Sequence, residues 1–195
     1  RFRSSRMRQF AELFQPDDAT RIIDVGGYEM NWSLIGAKPQ VLLINLENET
    51  WNRGRFQKIK GDGKNLKFAD GSFDIAYSNS VIEHVGNWDD QVAFAKEMRR
   101  VARRYYVQTP NKWFVVEPHL IAPFIHLLPV GMMRKLVRYF SVWGLIQRPT
   151  QARVDNFLGS IRLLGKSEMR KLFPDAEIIV EKFLGMAKSI IAVRR

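Results

Sequence analysis

Chemistry-bearing side chains cluster in Asp24-Val-Gly-Gly27, Asn45-Leu-Glu47, Gly61-Asp-Gly63, Asn79 and Glu83-His84. The first is an acidic residue and a double glycine closing an apolar run. Gly26 and Gly27 lack a β-carbon and tolerate positive φ, so such a turn lets backbone approach a ligand closely; it also reads as an ordinary tight turn. A dinucleotide site needs G-x-G-x-x-G, which brings a helix N-terminus to the pyrophosphate. Here the run is Gly26-Gly-Tyr-Glu-Met-Asn31, with Glu29 near the diphosphate position. That argues against a nicotinamide or flavin dinucleotide.

Asn45 and Glu47 follow Asp24 by 21 and 23 residues, at the end of a second apolar run. Two residues apart on extended chain they face the same way, as a pair of ribose hydroxyls would require; a polar strand end facing water is the other reading. Asp62 can accept from an adenine amino group while the Gly63 amide addresses a ring nitrogen, or Asp62 can simply cap its own turn. A nucleoside with an amino-acid end and no phosphate, S-adenosylmethionine, suits this set. His84, with Glu83 beside it, is the candidate general base, and packing the start of the next helix is its alternative role. Glu117-Pro-His119 is a second polar pair with the same two readings. His126 is the remaining histidine, and no three-histidine metal site forms without using all three; no metal is expected. Gly71-Ser-Phe-Asp lacks the G-x-S-x-G nucleophile pattern.

These residues need rigid elements behind them. Apolar runs bounded by turn residues predict strands over 21–25, 41–45, 56–60, 73–78, 105–109, 176–183 and 187–193, the last two forming a hairpin. Apolar spacing predicts helices over 88–103, with Asn87 as N-cap, over 120–140, broken by Pro123 and Pro129 and ending near Gly144, and over 166–173. Alternation of strands and helices predicts an α/β fold: a Rossmann-like, doubly wound, seven-stranded, mainly parallel sheet with an antiparallel last strand and a helical lid insertion. One domain over 1–195 is expected, with 113–149 as lid and acceptor pocket, or as an added helical layer.

Asp24-Val-Gly-Gly27, Gly61-Asp62, Phe68-Ala-Asp-Gly-Ser-Phe-Asp74, Ser78-Asn-Ser-Val-Ile-Glu-His-Val85 and Glu97-Met-Arg-Arg-Val101 stand in one order. In that order the chain resembles class I S-adenosylmethionine-dependent methyltransferases of the methyltransferase type 11 group, over about 21–111 and 176–193. The resemblance implies that Asp24 and Gly26 line the methionine portion of the cofactor. It places the ribose at the end of the second strand, the adenine at Asp62 and Gly63, and Asn79 beside the cofactor. Tyr28 and Met30 depart from the usual glycines, and Asn45 stands where aspartate is commonest, with Glu47 nearby. In these respects the chain is similar to a branch in which Asp-Val-Gly-Gly is followed by a tryptophan and the second strand ends in Asn-Leu-Glu.

Composition narrows the function further. With 46% hydrophobic and 26% charged residues the chain reads as globular, and zero cysteines exclude disulfides, thiolate zinc sites and cysteine nucleophiles. A cytoplasmic location is expected, and residues are expected before Arg1. The apolar stretch 120–133 is shorter than the roughly 20 residues of a spanning helix. Net charge is +11, and from Arg134 onward 13 Lys/Arg face 5 Asp/Glu. Such an excess suits a polyanion or an anionic membrane surface, or is plain solvated surface. The expected function is methyl transfer to a small-molecule or lipid-like acceptor, with peripheral contact to an anionic membrane and no nucleic acid as first choice. RNA methylation and a non-catalytic binding protein of the same fold are the rivals.

Overall fold

The computed structural model describes residues 2–117, 122–123, 125 and 128–195. An eight-stranded sheet runs β3 (Trp51–Arg53), β4 (Phe56–Lys60), β2 (Gln40–Asn45), β1 (Arg21–Val25), β5 (Phe73–Asn79), β6 (Ala102–Pro110), β10 (Met186–Arg194), β9 (Glu177–Phe183). The five strands from β4 to β6 pair in parallel, while β10 is antiparallel to both β6 and β9. All seven expected strands are present. The eighth, β3, corrects the count: it pairs antiparallel with β4 at the sheet edge.

Helices cover both faces. On one side α1 (Phe2–Phe14) buries Met7, Phe10 and Phe14, and α2 (Glu29–Trp32) buries Trp32, all against Ile22, Leu43, Ile75, Tyr77 and Tyr106. The ring of Tyr77 stacks on that of Tyr106 at 5.4 Å, and Phe10 meets Trp32, Tyr77 and Tyr106 edge-on. The opposite face packs α3 (Trp88–Val101) and α7 (Lys166–Leu172) through Phe94, Met98, Val101, Met169 and Leu172. Asn87 caps α3 in a reciprocal box with Asp90. The helix stops at Val101, short of the expected Arg103, because Ala102 turns extended and starts β6.

The block expected as helix over 120–140 is corrected. Its helical part is α4 (Val130–Phe140), while β8 (Ala122–Pro123) pairs with β7 (Val116–Glu117) in a two-residue antiparallel ladder. Pro129 stands at the N-cap of α4, where the proline's missing N–H costs no helical hydrogen bond. Gly144 does not end this block; it lies inside α5 (Val142–Gln147), where a β-carbon would collide with the Val137 and Arg138 carbonyls. Ser141 turns the chain between the two helices, its hydroxyl donating to Val137 O and accepting from Gly144 N. With α6 (Gln151–Gly159) these helices share a small core of Ile125, Val137 and Val154, against which Trp143 stacks on Phe157 at 4.8 Å.

Candidate functional site

At the C-terminal ends of β1, β2 and β4 lies a cleft of about 300 Å³, lined by Val25, Gly26, Asn45, Glu47, Asp62, Gly63, Val81, His84 and Phe94 among others. In an open α/β sheet this is where ligands bind, because strand-end loops diverge there. The volume is at the lower end for ligand pockets. Five of the residues singled out for the cofactor (Gly26, Asn45, Glu47, Asp62, Gly63) come together in this cleft, and so does His84.

Asp24 sits behind the wall rather than in it. Its carboxyl is fully buried, and Trp32 Nε1 donates to Oδ2 at 2.9 Å while Oδ1 has no partner. Burial pushes its pKa up to about 7 against the opposing pull of the Trp32 hydrogen bond. This explains the double glycine better than ligand approach alone: a β-carbon on Gly27 would collide with the Asp24 carboxyl, and one on Gly26, at φ +77°, would strike Val81. Gly63 is equally confined, since a β-carbon there would lie 2.7 Å from both Val25 and Phe94.

Strand β2 ends at Asn45, so Glu47 stands beyond it and the two do not share a strand face. Asn45 Nδ2 donates to Gly27 O at 3.1 Å, tying the second strand's end to the first loop. Glu47 accepts from Lys58 Nζ at 2.8 Å; Glu49 accepts from the same nitrogen at 2.6 Å. Lys58 is buried on β4, and these two carboxylates raise its pKa to about 12. Its position was not anticipated, because nothing local marks Lys58 among the lysines of 56–60. Asp62 lines the cleft, and its Oδ1 accepts from Lys64 N at 2.9 Å as a local cap.

Asn79 and Glu83 lie outside the cleft wall. Asn79 Oδ1 accepts from Arg6 Nη1 at 3.1 Å, part of a network in which Arg6 also reaches Gln108, Ser189 and both oxygens of Glu181. Glu83, fully buried in the 3-10 turn Ile82–His84, accepts from Thr109 Oγ1 at 3.0 Å. His84 is exposed at the rim. His119 and His126 lie outside the described residues, and Glu117 is described only as part of β7. Tyr28 and Met30, which replace glycines of the usual loop, are 58% and 62% exposed and line a neighbouring depression rather than this cleft.

Residues 33–105 match the family described as Methyltransferase domain. No curated protein matches the sequence. Among solved structures, the chain is similar to magnesium protoporphyrin IX methyltransferase from Synechocystis with bound SAH, at 14% identity and TM-score 0.56, covering 100% of this chain and 82% of that one. It is also similar to a SAM-dependent methyltransferase from Methanosarcina mazei, at 17% identity and TM-score 0.54, covering 95% and 96%. A SAM-dependent methyltransferase from Aquifex aeolicus aligns at 11% identity and TM-score 0.52, covering 96% and 87%.

Proposed function

From the match of residues 33–105 to a methyltransferase domain and the fold shared with methyltransferases of known structure, we propose that this chain is a class I S-adenosylmethionine-dependent methyltransferase that transfers a methyl group from S-adenosylmethionine to a small-molecule or lipid-like acceptor. The cofactor supplies a methyl on a sulfonium, an activated carbon that needs no covalent enzyme intermediate. One observation carries the reading. A cleft with acceptor oxygens at Asn45, Glu47 and Asp62, apolar walls at Val81 and Phe94, and glycines too confined for a side chain suits a nucleoside with an amino-acid tail. The outward placement of Tyr28 and Met30 favours cofactor binding over a purely structural role, because the altered loop leaves the cleft open.

In this reading Glu47 takes the ribose hydroxyls while Lys58 holds it in place, and Asp62 and the Gly63 amide meet the adenine. Asn45 fixes the Gly26–Gly27 turn by its bond to Gly27 O. The protein contributes mainly alignment, which can be worth many orders of magnitude for a displacement between two bound partners. His84 at the rim is the group assigned to take a proton from the acceptor, and Glu83 positions the turn that carries it. Isothermal calorimetry with S-adenosylmethionine and S-adenosylhomocysteine tests the reading: both should bind, and Glu47→Ala should weaken both. Absence of binding to either would make this a methyltransferase fold used for another purpose.

A further inference from the structure

The helical segment from Pro129 to Arg162 carries an exposed apolar face that the methyltransferase reading leaves without a partner. α4 turns Met133, Leu136 and Val137 inward, yet Tyr139 and Phe140 remain 63% and 68% exposed. On α5, Trp143 packs inward, whereas Val142, Leu145 and Ile146 share the other side of the helix, and the last two are 61% and 71% exposed. Only Ser141 separates the two helices, so Tyr139, Phe140 and Val142 adjoin. Contiguous exposed apolar side chains of this kind mark an interaction surface.

Charge selects the partner. Residues 129–162 contain six Lys/Arg (Arg134, Lys135, Arg138, Arg148, Arg153, Arg162) and one acid, Asp155. Arg134 is committed to Asp155 through two hydrogen bonds. Arg138 and Lys135 are exposed on the same short helix as Tyr139 and Phe140. A second copy of the chain would bring like charge against like, whereas an anionic lipid surface matches both the cations and the apolar side chains. Among the described residues no helix is long and apolar enough to cross a membrane.

We propose that α4 and α5 dock this protein on the surface of an anionic lipid bilayer, with Phe140, Leu145 and Ile146 entering the headgroup boundary and Lys135 and Arg138 meeting the phosphates. The placement suits a lipid-like acceptor, and for that purpose the proposal rests on the methyltransferase reading. The segment returns to the sheet where Arg162 N donates to Glu83 O at 2.8 Å, one residue from His84 at the cleft rim.

Co-sedimentation of the full chain with phosphatidylglycerol-containing vesicles, against pure phosphatidylcholine vesicles, tests this. Binding should be confined to the anionic vesicles and fall with salt. Lys135→Ala with Arg138→Ala should weaken it about 25-fold, at about fivefold per cation, and Leu145→Ser with Ile146→Ser about tenfold or more. Leu184→Ser, an exposed apolar residue in the far hairpin, should leave binding unchanged. Unaltered thermal melting of each variant keeps the comparison fair. Failure to sediment with anionic vesicles at low salt overturns the proposal, as does binding indifferent to both double variants. A dimer in equilibrium sedimentation that Ile146→Glu dissociates would assign the face to self-association instead. S-adenosylmethionine calorimetry on the same preparation separates these outcomes from failure of the methyltransferase reading.

Discussion

The turn after β1 and the α4–α5 helices solve opposite problems. Around Asp24 a polar group is sealed inside the molecule, with one indole hydrogen bond and a glycine backbone pressed against it. Around Phe140 and Ile146 apolar groups are left outside, over a core whose buried members among the described residues are Ile125, Val137 and Val154. The first arrangement gives a rigid strand-end loop, because any shift of Trp32 or Gly27 exposes or crowds a carboxyl with nowhere to go. The second leaves helices whose outer face is stabilised by nothing described within the chain. Rigidity belongs beside the cleft, and the unpartnered face belongs where the protein meets something else.

The largest effect should come from Trp32→Ala. It removes a fully buried ring from the aromatic cluster and deprives Asp24 of its donor, so it should cost about 3–5 kcal/mol for the cavity, with the hydrogen-bond loss added. Urea denaturation of the two proteins gives the difference directly. A loss below that of a surface substitution would mean the turn is not held by this ring.

Asp24→Asn sharpens the comparison through pH. The folded-state pKa is raised from 3.8 to about 7 by burial. Between those values the folded protein keeps a proton that the unfolded chain has released, so stability falls as pH rises through this window and levels off above it. The change attributable to Asp24 is at most about 4 kcal/mol. In Asp24→Asn that decline should vanish, and Trp32 can still donate to the amide oxygen. Denaturation midpoints of both proteins, measured from about pH 4 to about pH 8 so as to bracket the two pKa values, decide it. Parallel pH curves would place the carboxyl in a wetter setting than its burial indicates.

Smaller still is the effect expected of Asp62→Ala on cofactor affinity. One hydrogen bond of about 0.5–1.5 kcal/mol corresponds to roughly twofold to twelvefold weaker S-adenosylmethionine binding by calorimetry. Unchanged affinity would confine Asp62 to its bond with Lys64 N. At the bottom of the scale stands Ile146→Ser in α5, which should move stability by no more than about 0.5 kcal/mol, because the side chain is already in water. A loss as large as that of a core residue would show that the outer face of α5 is covered within the protein.

Much of the fold was legible because its signals are local. The apolar runs of β1, β2, β5 and β6 are bounded by turns, and Asn87 announces α3 in the sequence before any contact is known. β3 escaped notice because three residues, Trp51-Asn-Arg53, carry no periodicity and become a strand only by pairing with β4. α1 escaped too, although Met7, Phe10 and Phe14 have helical spacing, since its register against the sheet is set by Tyr77 and Tyr106 some 70 residues and more downstream.

The site divides in the same way. Residue type and order were enough to bring Gly26, Asn45, Glu47, Asp62, Gly63 and His84 to one family pattern, because each follows a strand end and parallel strands deliver all their C-terminal ends to one edge. Which atoms face the cleft was decided only in three dimensions. Asp24 is fully buried and held by Trp32, Asn79 accepts from Arg6, and Lys58, unremarkable in sequence, holds Glu47. Chain order fixes which edge of a parallel sheet a residue reaches. The direction of its side chain depends on partners from distant segments, and their desolvation and hydrogen bonding are settled only when the sheet and its helices close.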